Sequence, residues 1–140
     1  MKKHHIFSSA FLLAASISAD AADFDKSIPI ICSLSNYSEC TIDGCDAVSA
    51  ASLQAPTFIR INARKKTLKA YAQGKTSESK VSSVEILDGK LILAGIEDGA
   101  EDVRDGVGYS ASVTIETGNL VLTAVSDDLA IMAYGACIRD

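Results

Sequence analysis

Nine consecutive residues, Val107 to Ile115, alternate without a break between apolar or aromatic side chains and small or polar ones. Val107, Tyr109, Ala111, Val113 and Ile115 share one face; Gly108, Ser110, Ser112 and Thr114 share the other. A period of two sends successive side chains to opposite faces of an extended chain, so the segment reads as a half-buried strand. Helical spacing from Val107 would instead bury Ser110, Ala111 and Thr114. Leu120–Val125 follows across Thr117-Gly118, where glycine is free to take positive φ, and completes a hairpin. Asp88-Gly89 joins a second pair, Val81–Leu87 and Lys90–Ile96, and Ala63 to Lys66 join a third, Thr57–Asn62 and Thr67–Tyr71. Ile28–Leu34 and Leu129–Ile138 read as first and last strands. A turn or two of helix, or a loop, is expected at Ala47–Leu53, closed by Pro56. Consecutive hairpins with short turns predict an all-β antiparallel meander. Closing it into a small barrel would remove exposed strand edges, and a two-sheet sandwich is the alternative.

The fold begins after a leader. Lys2, Lys3, His4 and His5 form a basic start, Ile6 to Ile17 is apolar apart from small serines, and Ala19-Asp20-Ala21 offers small residues to a signal peptidase. The apolar run is about a dozen residues, too short to cross a bilayer as a helix. Residues 1–21 are therefore expected to be a secretory signal peptide. Residues 22–140 would form a single disulfide-bonded β domain, periplasmic or secreted, with no membrane anchor after cleavage. A chain of 140 residues with 48% hydrophobic and 22% charged side chains suits one folded domain rather than a disordered segment.

Cleavage narrows the chemistry. Both histidines leave with the leader, and the chain has no tryptophan. Without imidazole there is no Ser-His-Asp or Cys-His nucleophile and no HExxH zinc site. Loss of Lys2, Lys3 and Asp20 leaves 11 basic and 17 acidic residues, a net charge of −6, which argues against nucleic acid as a partner. Cys32, Cys40, Cys45 and Cys137 remain, and an even count in an exported chain reads as two disulfides. The three connectivities are all open on sequence, and Cys32–Cys137 with Cys40–Cys45 is favoured. The first two sit in strand-like stretches near the ends of the domain, and the second two bracket a turn at Asp43-Gly44. A four-thiolate zinc site would need two close cysteine pairs, and Cys32 and Cys137 stand far apart. No cofactor and no metal are expected.

From Cys32 to the end the chain resembles a family of small exported bacterial proteins with no assigned function. The resemblance is carried by Pro56-Thr57-Phe58-Ile59-Arg60-Ile61, by Gly89-Lys90-Leu91-Ile92-Leu93-Ala94-Gly95-Ile96, by Thr117-Gly118 and by Tyr134-Gly135-Ala136-Cys137. Family members often carry tryptophan where this chain has Tyr109. The resemblance implies export and a disulfide-bearing domain, and it brings no catalytic residues.

Three stretches are candidates for function. Arg60, Arg64, Lys65, Lys66 and Lys69 form a basic hairpin that could grip an envelope protein or an anionic surface; the alternative is a charged turn that blunts a sheet edge. Residues 97–106 carry five carboxylates against Arg104 and could attract calcium, although they lack EF-hand ligand order; a solvated connection is the simpler reading. Tyr109 and Tyr134, each beside a glycine, could line a pocket inside a barrel or simply fill its core. The leading expectation is an exported, non-enzymatic β domain that binds a protein partner, an envelope component or a small ligand. A carboxylate-based glycan hydrolase is the alternative.

Overall fold

The computed structural model describes residues 26–98 and 106–140; residues 1–25, which include the expected signal peptide, and residues 99–105 lie outside the described residues. Nine strands run through the described residues: β1 (Ile30–Thr41), β2 (Gly44–Val48), β3 (Phe58–Asn62), β4 (Thr67–Ala72), β5 (Lys75–Leu87), β6 (Lys90–Glu97), β7 (Val107–Thr114), β8 (Asn119–Val125) and β9 (Ala130–Arg139). From β3 to β9 each strand pairs antiparallel with the next, β1 pairs with both β3 and β9, and an eight-stranded barrel closes with β2 added outside the ring. The expected meander and barrel are therefore present, and the sandwich is not.

The seam is where the sequence is least regular. One edge of β1 pairs with β9 from Ile30↔Arg139 to Cys40↔Ala130. Its other edge pairs with β3 over Ile30–Ser33 and with β2 over Tyr37–Thr41. A bulge between Leu34 and Asn36 separates the two halves and turns the strand from one partner to the other. Gly135 lies opposite this bulge, and a Cβ there would overlap the Ser33 carbonyl oxygen, so the close approach of main chains requires glycine.

Of the two readings of Ala47–Leu53, a turn or two of helix or a loop, the structure has no helix. Ala47 and Val48 belong to β2, and the chain then makes a single turn in which Ser49 Oγ accepts from the Ser52 amide at 3.0 Å. Gln54 follows with φ of 52°, left-handed backbone that stops the turn from propagating. β5 also starts earlier than its hydrophobic run suggests. Lys75–Lys80 pair with β4 although they carry no apolar side chain.

Inward-facing residues differ in size along the barrel axis. Toward the end that holds the β3–β4, β5–β6 and β7–β8 turns they are large: Ile30, Ile61, Leu91, Val113 and Leu120, all nearly or fully buried. Toward the end that holds the β4–β5 and β8–β9 turns they include Ala70, Ser77, Ser79, Gly95 and Ala124. The first set interdigitates and fills its end; the second cannot reach across the same diameter. The Cys32–Cys137 disulfide lies inside the barrel, bridging directly opposed residues of β1 and β9 across a separation of 105 residues. Cys40–Cys45 closes the β1–β2 hairpin, which projects past the unfilled end with Ile42 99% exposed at its tip.

Candidate functional site

The space left by the small inward residues is a cavity of about 240 Å³ that opens at the unfilled end. Its wall is mainly aliphatic, with Leu34, Ile59, Leu68, Leu122 and Ile131 among the lining residues. Leu53, Ala55 and Pro56, from the connection between β2 and β3, form part of its rim. Tyr37 secures that connection: its buried hydroxyl donates to the Pro56 carbonyl oxygen. Burial makes a phenolate costly there and pushes the Tyr37 hydroxyl up from 10.0 to about 12. Further bonds hold the segment, with Gln73 Nε2 donating to the Ala51 carbonyl at 3.2 Å and the Thr57 amide to the Tyr71 carbonyl at 3.0 Å.

The polar groups of the lining converge on one side. Tyr109 enters from β7 opposite Gly95, and its ring occupies the place a Cβ on Gly95 would take. Such packing of an aromatic over a cross-strand glycine fixes the ring against the sheet. The Tyr109 hydroxyl donates to the Lys80 carbonyl at 3.1 Å and accepts from Ser79 Oγ at 3.2 Å. Burial raises the Tyr109 hydroxyl above its ordinary range, the Ser79 hydrogen bond opposes the shift, and the negative charge of Glu97 adds to it. Ser77, Ser79, Tyr109 and Glu97 thus give an otherwise apolar cavity a hydroxyl-rich flank with one carboxylate.

Charge divides between the two ends. Around the open end and its projecting hairpin stand Glu39, Asp43, Asp46, Glu97, Asp98, Asp127 and Asp128, with Lys75 as a basic residue among them. The filled end carries Lys26, Arg64, Lys65, Lys66 and Lys90 beside Asp88 and Glu116. Of the five basic candidates, Arg64, Lys65 and Lys66 lie at the end opposite the cavity mouth, and Arg60 and Lys69 lie within β3 and β4. Arg60 pairs with Asp140, Lys69 with Glu78 at 3.0 Å, and both pairs are partly exposed on the outside of the barrel. Arg64, Lys65 and Lys66 lie in the β3–β4 turn, where the Lys65 amide donates to Asn62 Oδ1 at 2.9 Å and Lys66 takes φ of 53°. The four cysteines form the two bridges already described, as befits an oxidising environment.

Of the tyrosines singled out in the sequence, Tyr109 lines the cavity and Tyr134 faces outward, 42% exposed. The acidic stretch 97–106 contributes Glu97 and Asp98 here, and its residues 99–105 lie outside the described residues. Tyr37, Ser77, Ser79 and Ala124 were not expected at a site; the signal for Ser77, Ser79 and Ala124 is small side chains at inward positions of β5 and β8, and the sequence carries none for Tyr37. Among the described residues, no group of three or more His, Cys, Asp or Glu side chains is placed to hold a metal ion. Comparison of the chain with protein-family models, with curated proteins and with solved structures finds no match in any of the three.

Proposed function

We propose that this protein is an exported, non-enzymatic binding domain that holds a small, mainly apolar molecule in the open end of its barrel. The observation that carries this reading is the contrast in inward side chains, which leaves about 240 Å³ at one end with an aliphatic wall and one hydroxyl-bearing side. Barrels of eight strands have interiors that either fill with side chains or hold one small ligand. A dry cavity of roughly 150 Å³ already accommodates benzene, so the space suits a single ring with a short polar arm. The aliphatic wall would supply affinity, and Tyr109 with Ser77 and Ser79 would orient the polar group.

The leader-like segment, the two disulfides and the resemblance to small exported bacterial proteins support a periplasmic or secreted location.

Titration of the ¹⁵N-labelled oxidised protein with phenethyl alcohol tests the site. Saturable shifts are expected at the amides of Tyr109, Leu122, Ala124 and Ile131, with Leu91 and Val113 unmoved. Shifts scattered over the outer surface, or none, would overturn the reading.

A further inference from the structure

We propose that the molecule held in the barrel mouth is a cation, an amine carried on a small apolar body. This rests on the reading of the cavity as a ligand site. Two observations lead to it.

The first is local. Glu97 carries the only charge among the described residues that line the cavity. It stands at the end of β6 on the inward side, and Tyr109 projects from the facing strand β7 with its ring over Gly95. Glu97 and Tyr109 line the same cavity. An ammonium group at the rim would meet a carboxylate and hydroxyl oxygens, all of them acceptors. The carboxylate favours a cation over a neutral group and would repel a carboxylate ligand. The lining offers no ammonium or guanidinium to an anion among the described residues.

The second is global. The described open end carries an excess of carboxylates, and the filled end carries the basic turn of Arg64, Lys65 and Lys66. A barrel polarised along its axis attracts cations to one mouth and raises their local concentration there. Because these charges are exposed, the attraction weakens with salt over a screening length of about 8 Å at physiological ionic strength.

A matched set of probes with one ring and one arm separates the claims: phenethylamine, phenethyl alcohol and phenylacetate, titrated into the oxidised protein and into Glu97→Gln. The expected result is an amine that binds about fivefold tighter than the alcohol at low salt, with phenylacetate weakest. In Glu97→Gln the amine preference should shrink, with any remainder due to the other carboxylates of the open end lost at high salt, while the alcohol binds as before. Equal binding of amine and alcohol, tighter binding of phenylacetate, or an amine preference undiminished in Glu97→Gln would overturn the cation inference and leave the cavity reading standing. If none of the three probes binds, both fall together.

Discussion

The two ends of this barrel are built from the same strands and differ in what those strands send inward. At the filled end Ile30, Ile61, Leu91, Val113 and Leu120 meet one another and leave almost no surface to water. At the open end Ala70, Ser77, Ser79 and Ala124 replace them, and a cavity takes the place of a core. The period-two pattern is the same at both ends, so the sheet closes in the same way. Side-chain volume alone decides which end holds the fold and which end is free to hold something else. A domain of this size has limited core to spare, and the Cys32–Cys137 bridge, buried outside the cavity lining, constrains the unfolded chain.

The bridge should therefore give the largest effect. Replacing Cys32 and Cys137 together with alanine reopens a loop of 105 residues and is expected to cost about 4 kcal/mol in urea unfolding. The corresponding Cys40 and Cys45 pair closes a loop of 5 residues on an exposed hairpin and should cost about 2 kcal/mol or less. Equal costs would mean that the length of the closed loop does not set what each bridge contributes.

A sharper comparison uses one strand and one residue type. Leu120 and Leu122 both point inward from β8; Leu120 is 1% exposed, and Leu122 is half-buried at the cavity wall. Leu120→Ala leaves a new void in a packed layer and should cost about 3 kcal/mol. Leu122→Ala enlarges a space that already exists, and a cost of about 1 kcal/mol is expected. Chemical denaturation of the two variants would break the contrast if their order were reversed.

A smaller effect, confined to alkaline solution, concerns the rim. Because burial favours the neutral Tyr37 hydroxyl, its contribution to stability is complete below pH 10, the unfolded value. It is lost as pH rises from there through about 12, the folded value. Stability of the wild type should fall across that window more steeply than that of Tyr37→Phe, as measured by unfolding at a series of pH values. Parallel pH profiles would show that the connection between β2 and β3 does not depend on this hydroxyl.

The least effect belongs to the basic turn. Lys65→Glu with Lys66→Glu should change stability by no more than about 0.5 kcal/mol and leave phenethyl alcohol binding unchanged. The residues lie at the opposite end from the cavity and use main-chain groups for their turn. A loss of probe binding in this variant would mean that the two ends are coupled.

The barrel was legible in the sequence where alternation was strong. Val107–Ile115, Asp88-Gly89 and Thr117-Gly118 announce strands and turns through side-chain period and glycine. β2 and the first half of β5 were not legible, because Gly44–Val48 and Lys75–Lys80 bury little and take their place through main-chain pairing with β1 and β4. The cavity was half legible. Tyr109 stood out beside Gly108, yet the alanines and serines around it gain meaning only when strand closure brings them to one level. Ala47–Leu53 misled because alanine and serine favour a helix turn locally, and the single turn there is ended by Gln54 and held by Tyr37 and Gln73.

Filling the cavity from within tests the central claim most directly. Ala124 lines the open end on β8, whereas Ala133, on the neighbouring β9, is fully buried. In Ala124→Leu the added side chain should occupy the cavity, keep stability within about 1 kcal/mol of the wild type or raise it, and abolish phenethyl alcohol binding. Ala133→Leu should be destabilised by about 1–3 kcal/mol through overpacking. An Ala124→Leu variant that binds the probe as well as the wild type would contradict the assignment of the open end as the ligand site. One that loses as much stability as Ala133→Leu would contradict the cavity itself.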